Sequence, residues 1–246
     1  MHRNTVGFII VAAIAGFIAG FLLANNINRS AITTSGTQIE QKKSVNSNQS
    51  QNTDEPSLSA EELRSKIAEA DKNPANFAYQ KNLGISLYRY ASMKSDPDLL
   101  TESIRILTRA NSIDAKDFDV IVALGNAHFD LGFFKKDLAS FQMARDLYGK
   151  ALDVKPGDAD VRTDLGISYF VQEPPDFDKA VATLTQVLSS NPKHDRAMQF
   201  LVQTYVKQGK IPDAEKALAK IIELNPSNPA ITDMRLLISN AKSGTK

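Results

Sequence analysis

The sequence predicts an all-α fold: a solenoid of stacked helix pairs that follows a transmembrane helix and a disordered tether. Three observations support this prediction. An uncharged apolar run lies near the N-terminus, and a stretch rich in Ser, Asn, Gln and Thr follows it. From Leu58 onward, apolar residues recur at i, i+3, i+4 and i+7, the period of a helix. In the same region a local pattern returns at intervals of 34 to 41 residues, which is typical of repeat architectures.

The apolar run extends from Val6 to Ala24 and predicts one membrane span. Its 19 residues would form about 28 Å of helix, close to the roughly 30 Å of a hydrocarbon core. The alternative is a cleaved signal peptide, but the apolar region of such peptides is usually only about 7–15 residues long. We therefore predict an uncleaved anchor over residues 1–27. Gly16 and Gly20 form a GxxxG element, which favours packing between two such helices.

The charges that flank this run predict its orientation. Arg3 precedes the run and Arg29 follows it, so the count of positive charges is nearly balanced. The short Arg-bearing start resembles a signal anchor, which favours a single-pass protein of the bacterial inner membrane with a periplasmic C-terminal domain. Residues 28–57 show no sustained apolar period and predict a disordered polar linker.

Composition argues against several classes of function. The chain has no Cys and 3 His, which excludes disulfides, zinc–thiolate sites and thiol nucleophiles. Its 29 Lys and Arg balance 28 Asp and Glu, whereas proteins that bind nucleic acids usually carry a basic excess. The sequence contains no phosphate-binding glycine loop, nucleophile elbow or metal-ligand spacing. We expect no enzyme activity, no cofactor, no metal and no nucleic-acid partner.

The few residues that could carry chemistry have structural interpretations. His128 is expected to be partly buried between helices, and His194 follows a Pro in a turn, where we expect it to be solvated. Asp158, Asp160 and Asp164 lie where a helix is predicted to start. Carboxylates are favoured there by the helix dipole, so we interpret all three as capping residues.

A Leu-Gly pair marks three of the four copies of a two-helix unit. It occurs at Leu83, Leu124 and Leu165, and a fourth copy at Leu201 lacks the Gly. These anchors are 41, 41 and 36 residues apart, and each unit ends in a second apolar helix and a helix stop. The pattern resembles the tetratricopeptide (TPR) repeat, in which Leu-Gly-x-x-Tyr of a first helix precedes Ala-x-x-x-Phe-x-x-Ala of a second helix and a Pro.

The resemblance implies a right-handed superhelical solenoid of about four TPR-like helix pairs with flanking cap helices, over residues 58–241. The repeats are placed near 75–116, 117–157, 158–192 and 193–228, with cap helices at 58–71 and 229–241. A Gly in the first helix lets the second helix pack closely, because no Cβ intervenes. The first two repeats are seven residues longer than the standard unit. We place this extension on the first helix of the first repeat, up to Asp96, and on the second helix of the second repeat, from Phe134 to Asp153.

The resemblance also implies a function. In TPR proteins the first helices line a concave groove that accepts an extended peptide or a helix of a protein partner. The corresponding positions in this chain are Lys81, Ile85, Tyr88, Asn126, Phe129, Asp130, Thr163, Ile167, Phe170, Gln199, Gln203 and Lys207. The favoured function is a membrane-tethered TPR scaffold or adaptor. Two alternatives stay open: an envelope assembly factor or chaperone-like TPR protein, for example of the c-type cytochrome maturation kind, and a self-associating structural membrane protein, which would be a homo-oligomer.

Overall fold

The computed structural model describes residues 59–244, and within them the chain forms ten α-helices and no strand, which confirms the all-α prediction for this part. The helices are α1 (Ala60–Lys72), α2 (Phe77–Lys94), α3 (Pro97–Ile113), α4 (Phe118–Lys135), α5 (Leu138–Val154), α6 (Ala159–Val171), α7 (Phe177–Ser190), α8 (Asp195–Lys207), α9 (Ile211–Leu224) and α10 (Ile231–Gly244).

The predictions for the N-terminal region lie outside the described residues. These are the membrane span over residues 1–27, the helix-packing element at Gly16 and Gly20, and the linker over 28–57. Among residues 59–244, no helix combines the length and the apolar character that a membrane crossing requires. This finding corrects the prediction of a single-pass inner-membrane protein with a periplasmic domain.

The helices form pairs that stack along the chain. In each of the pairs α2–α3, α4–α5, α6–α7 and α8–α9, the two members pack against each other, and the second member also packs against the next pair. The first helices α2, α4, α6, α8 and α10 also contact one another in sequence. The first helices therefore form one layer and the second helices form another, as expected for a solenoid of stacked repeats.

Side-chain N-caps define where most of the described helices begin. At α1, the Ser59 hydroxyl accepts the Glu62 N–H at 3.1 Å while the Glu62 carboxylate accepts the Ser59 N–H at 2.9 Å, which completes a capping box. An aspartate side chain caps each of the five helices α3 to α7. These caps are Asp96, Asp117, Asp137, Asp158 and Asp176. Because each carboxylate accepts otherwise unpaired backbone N–H groups, the caps fix the start of each helix.

The additional residues of the long repeats lengthen both helices of each pair. The helices α2 and α4 have 18 residues and α3 and α5 have 17, whereas α6 and α8 have 13 and α7 and α9 have 14. The predicted placement in the second repeat was therefore wrong, because Phe134 belongs to α4 and the second helix starts only at Leu138. The reason is local: Lys136 adopts a φ of 52°, which ends α4, and Asp137 then caps α5.

The Leu-Gly pairs lie where the two layers approach most closely. A Cβ on Gly84 would be 2.7 Å from Leu107, and one on Gly125 would be 2.9 Å from Tyr148. One on Gly166 would be 3.0 Å from Leu184. Each of these positions faces the second helix of its own pair, so the glycine is needed for close packing. This is the role that the repeat pattern predicts.

Candidate protein-binding face

The inner face is defined as the solvent-facing side of α2, α4, α6 and α8, where the predicted groove positions lie. Six of the twelve predicted residues are buried: Phe129, Asp130, Thr163, Ile167, Phe170 and Gln203. The five half-buried residues are Lys81, Ile85, Tyr88, Asn126 and Gln199. The one exposed residue is Lys207. Four of the six accessible positions therefore lie on α2 and α4, and the other two lie on α8.

The buried aromatic residues among these positions hold the helices together. The Phe129 ring meets Phe141 of α5 edge-on, with centroids 5.6 Å apart. The Phe170 ring meets Phe200 of α8 in the same way at 5.6 Å and lies 6.0 Å from Phe177. Edge-to-face pairs at these distances stabilise packing beyond their buried area. These side chains are part of the core between the helices, and they offer a partner little surface.

Two carboxylates neutralise the cation at the start of the inner face. Lys81 Nζ lies 2.8 Å from Asp117 Oδ2 and 2.9 Å from Asp119 Oδ2, both on the next first helix or its cap. Burial opposes the charged ammonium, but the hydrogen bonds to both carboxylates raise the pKa of Lys81 above its ordinary value. Lys81 therefore joins α2 to α4, and its charge is already balanced.

A buried carboxyl group joins α2 and α4 near their C-terminal ends. Asp130 is only 2% exposed, and its Oδ2 accepts a 2.6 Å hydrogen bond from the Ser92 hydroxyl of α2. The Tyr88 hydroxyl also hydrogen-bonds to this carboxyl group. Burial raises the pKa of Asp130 to about 7, although the two hydroxyl groups act in the opposite direction. The sequence pattern predicted Asp130 as a contact residue, and the structure gives it a position in the joint between two repeats.

Asn126 presents a hydrogen-bond donor on the inner face. Its Oδ1 accepts a 2.9 Å hydrogen bond from the Tyr148 hydroxyl of α5. This contact fixes the amide orientation and leaves the amino group of Asn126 to donate to another molecule. The half-buried side chains of Ile85 and Tyr88 lie on α2, the neighbouring first helix. Together they combine apolar area with an oriented polar group.

An ion-pair cluster joins the last two repeats. Asp164 of α6 is buried and pairs with Arg196 of α8. Asp160 Oδ1 lies 3.3 Å from His194 Nε2. The capping role predicted for these acidic residues therefore holds for Asp158 but is wrong for Asp164. Only the tertiary structure reveals this pair, because its members are 32 residues apart.

The two described histidines have structural roles. The His194 side chain is nearly buried at the start of α8, where its Nδ1 accepts the Ala197 N–H at 3.2 Å. The prediction of a solvated His194 was wrong, because the ring serves as the N-cap of the helix. His128 lies half-buried in α4, as expected, and burial lowers its pKa below the ordinary value. Among residues 59–244, no group of three or more His, Cys, Asp or Glu is arranged to hold a metal ion.

Comparisons with known proteins agree with this geometry. Residues 175–236 match the family model described as tetratricopeptide repeat. The solved structure of a MamA protein has a TM-score of 0.53 at 22% identity, over 67% of this chain and 81% of that one. A thermophilic TPR protein of Thermus thermophilus has a TM-score of 0.51 at 19% identity, over 73% of this chain and 88% of that one.

A third solved structure, MamA from Desulfovibrio magneticus, has a TM-score of 0.53 at 16% identity, over 69% of this chain and 86% of that one. No curated protein matches the chain in sequence. At these identities the likeness to solved structures shows the fold alone. The family model covers residues 175–236, and the repeated Leu-Gly units and stacked helix pairs show the same repeat architecture along the rest of the described residues.

Proposed function

We propose that this chain is a scaffold or adaptor that binds another protein through its inner face. The observation that carries the proposal is the group formed by Ile85, Tyr88 and Asn126 on α2 and α4. This group offers apolar area beside an amide donor whose orientation Tyr148 fixes. The repeat fold supports the proposal, because stacked first helices form a continuous surface along which an extended partner can lie. The alternative as an assembly factor stays a prediction.

The charges of this region indicate what kind of partner segment fits. Lys81 is already paired with Asp117 and Asp119, so it does not present a free cation to a partner carboxylate. The Asn126 amino group can donate to a backbone carbonyl, which every peptide carries. Ile85 and Tyr88 can pack against apolar side chains. We infer a partner segment that is apolar and uncharged where it meets α2 and α4.

The experiment uses a photo-crosslinking amino acid in the full chain, produced in its own cells. One variant carries the crosslinker at Ile85, on the inner face. The control carries it at Thr108, an exposed position on α3 in the outer layer. We expect a discrete crosslinked protein from position 85 and none from position 108. Equal products from the two positions, or no product from position 85, would contradict the proposal.

A matched substitution tests the role of the amide. Asn126→Asp keeps an oxygen that accepts the Tyr148 hydroxyl but replaces the donor amino group with a second acceptor. We expect binding of the crosslinked partner to weaken about three- to tenfold, as for one lost hydrogen bond of about 0.5–1.5 kcal/mol. Asn111→Asp on α3 adds the same charge to the outer layer and should leave binding unchanged. Equal effects of the two substitutions would contradict the assignment of Asn126.

A further inference from the structure

The two ends of the solenoid carry complementary halves of a repeat. The helix α10 contacts α8 and α9, just as the first helix α4 contacts α2 and α3. The helix α1 also packs against the first helix that follows it, α2, although far less extensively than the second helix α3 packs against α4. Within residues 59–244, therefore, α10 is a first helix without a second helix, and α1 is a second helix without a first helix.

Residues of α2 that correspond to buried residues of α4 are exposed, so one side of α2 is uncovered within the described residues. In α4, Ala123 is 6% exposed and Ala127 is 0% exposed, since the preceding helix pair covers them. The positions 41 residues earlier, Asn82 and Ser86 of α2, are both exposed. Within residues 59–244, α2 is preceded by α1 alone, whereas α4 is preceded by a complete pair.

Within the described part of the chain, a groove lies where a first helix would complete a pair with α1. This end groove lies between α1 and α2 and has a volume of about 590 Å³. Leu63 and Lys66 of α1 line it on one side, and Tyr79, Leu83 and Tyr90 of α2 line it on the other. Most of its lining is apolar, but Asn76, Asn82 and Ser86 also line it. The stem of Lys66 adds apolar area, since such stems pack well along apolar surfaces.

The opposite end exposes the side chain that such a groove would receive. Leu236 of α10 is 59% exposed. It lies 34 residues, one repeat length, after Val202. Val202 in turn corresponds to Gly84, Gly125 and Gly166 of the earlier repeats. At those three glycines, the first helix packs on the second helix of its own pair. Leu236 thus marks the side of α10 that lacks a second helix among the described residues.

We propose that copies of this chain associate head to tail, with α10 of one copy seated in the end groove of the next. The α10 helix of one copy and the α1 helix of the other then form a composite helix pair, and Leu236 packs against the Ser65–Lys66 edge of α1. This interface uses the ends of the solenoid, so it is separate from the proposed partner-binding inner face. Because it is heterologous and extends the solenoid, it produces open chains of copies rather than a closed dimer.

The repeat register supplies a direct geometric test. A Cβ at Gly125 would lie 3.4 Å from the Cβ of Leu147, and one at Gly166 would lie 3.5 Å from the Cβ of Thr183. The residue at the same register in α1, nine positions before the helix stop at Pro74, is Ser65. In the composite pair, the Cβ atoms of cysteines at positions 236 and 65 should therefore lie roughly 3.5–4.5 Å apart, the separation found in disulfides.

The experiment uses two single-cysteine variants of the full chain, Leu236→Cys and Ser65→Cys, which is straightforward because the chain has no native Cys. Mixed under mild oxidation, they should form a disulfide-linked dimer at least about ten times faster than Leu236→Cys mixed with Thr108→Cys. A rate no higher than that control overturns the proposal. Faster pairing of Leu236→Cys with itself also overturns it, because that result indicates a tail-to-tail contact.

Sedimentation velocity over a range of concentrations gives an independent measurement. We expect the average mass to rise with concentration for the full chain. Leu236→Lys should raise the dissociation constant at least about tenfold, the effect of losing a central interface anchor. Thr108→Lys should not change it. A chain that stays monomeric at all concentrations, or one whose association is unaffected by Leu236→Lys, contradicts the proposal.

Discussion

The close approach of α2 and α3 at Gly84 allows a quantitative prediction. A Cβ added at Gly84 would lie 2.7 Å from both Cγ and Cδ2 of Leu107 and 3.3 Å from Ile106. Leu107 and Ile106 are fully buried, so they have little space into which to move. The Ser103 hydroxyl also donates a 2.9 Å hydrogen bond to the Gly84 carbonyl, which fixes the spacing of the two helices.

Two opposing contributions determine the effect of Gly84→Ala. Overpacking a well-filled core costs about 1–3 kcal/mol, whereas Ala is favoured over Gly within a helix by about 1 kcal/mol. We therefore expect a net loss of about 1 kcal/mol in the free energy of unfolding. Gly149→Ala in α5 is the matched control, because no atom lies within 4 Å of its added Cβ. The control should gain about 0.5–1 kcal/mol from helix propensity alone.

Urea denaturation followed by far-ultraviolet circular dichroism measures both variants. The difference between them removes the propensity contribution and leaves the packing contribution of about 1–3 kcal/mol. Because repeat arrays can unfold in parts, the midpoint of the transition should be compared together with its slope. If Gly84→Ala proves as stable as Gly149→Ala, the contact with Leu107 does not limit how closely α2 and α3 pack.

Further predictions concern buried and paired charges. The folded pKa of Asp130, about 7, exceeds its ordinary value of 3.8, so the folded state binds more protons than the unfolded state between these pH values. The free energy of unfolding should therefore fall as pH rises from 4 to 7, by at most about 4 kcal/mol. Asp130→Asn should remove this dependence in urea titrations at several pH values, and an unchanged profile would contradict it. Arg196→Ala leaves Asp164 buried without its cation and should cost about 3–5 kcal/mol in the same assay, so a loss below 1 kcal/mol would argue against the pair. The hydrogen bonds from two arginines of α3 hold the pKa of Asp71 at about 2; Asp71→Asn should therefore speed amide exchange in α1 but not in α8, and equal exchange in α1 of both proteins would refute this link.

The repeat pattern predicted the fold well because its signals are local. Each Leu-Gly pair requires a second helix at close range, and each helix stop limits the length of the unit. The break after α4 was harder to place, since Lys136 is not a residue type that usually adopts the left-handed conformation. Asp137, a good N-cap with a polar neighbour at Ser140, was the signal that could have located it.

The candidate site was less predictable because exposure depends on how neighbouring pairs pack. The register correctly places Phe129 and Phe170 on first helices, but only the structure shows that they meet Phe141 and Phe200 in the core. Similarly, Asp164 and Arg196 are distant in sequence, and their pairing depends on how two pairs are stacked. A single sequence does not contain these distances, although it does contain the repeat that produces them.

Hydrogen exchange on the complex between the full chain and the protein crosslinked at position 85 tests whether the inner face of the first helices binds a protein partner. We expect slower amide exchange in α2 and α4 when the partner is present, with unchanged exchange in the outer helices α3 and α5. Protection confined to α3 and α5, or to the outer groove lined by α7, α8 and α9, would contradict such binding.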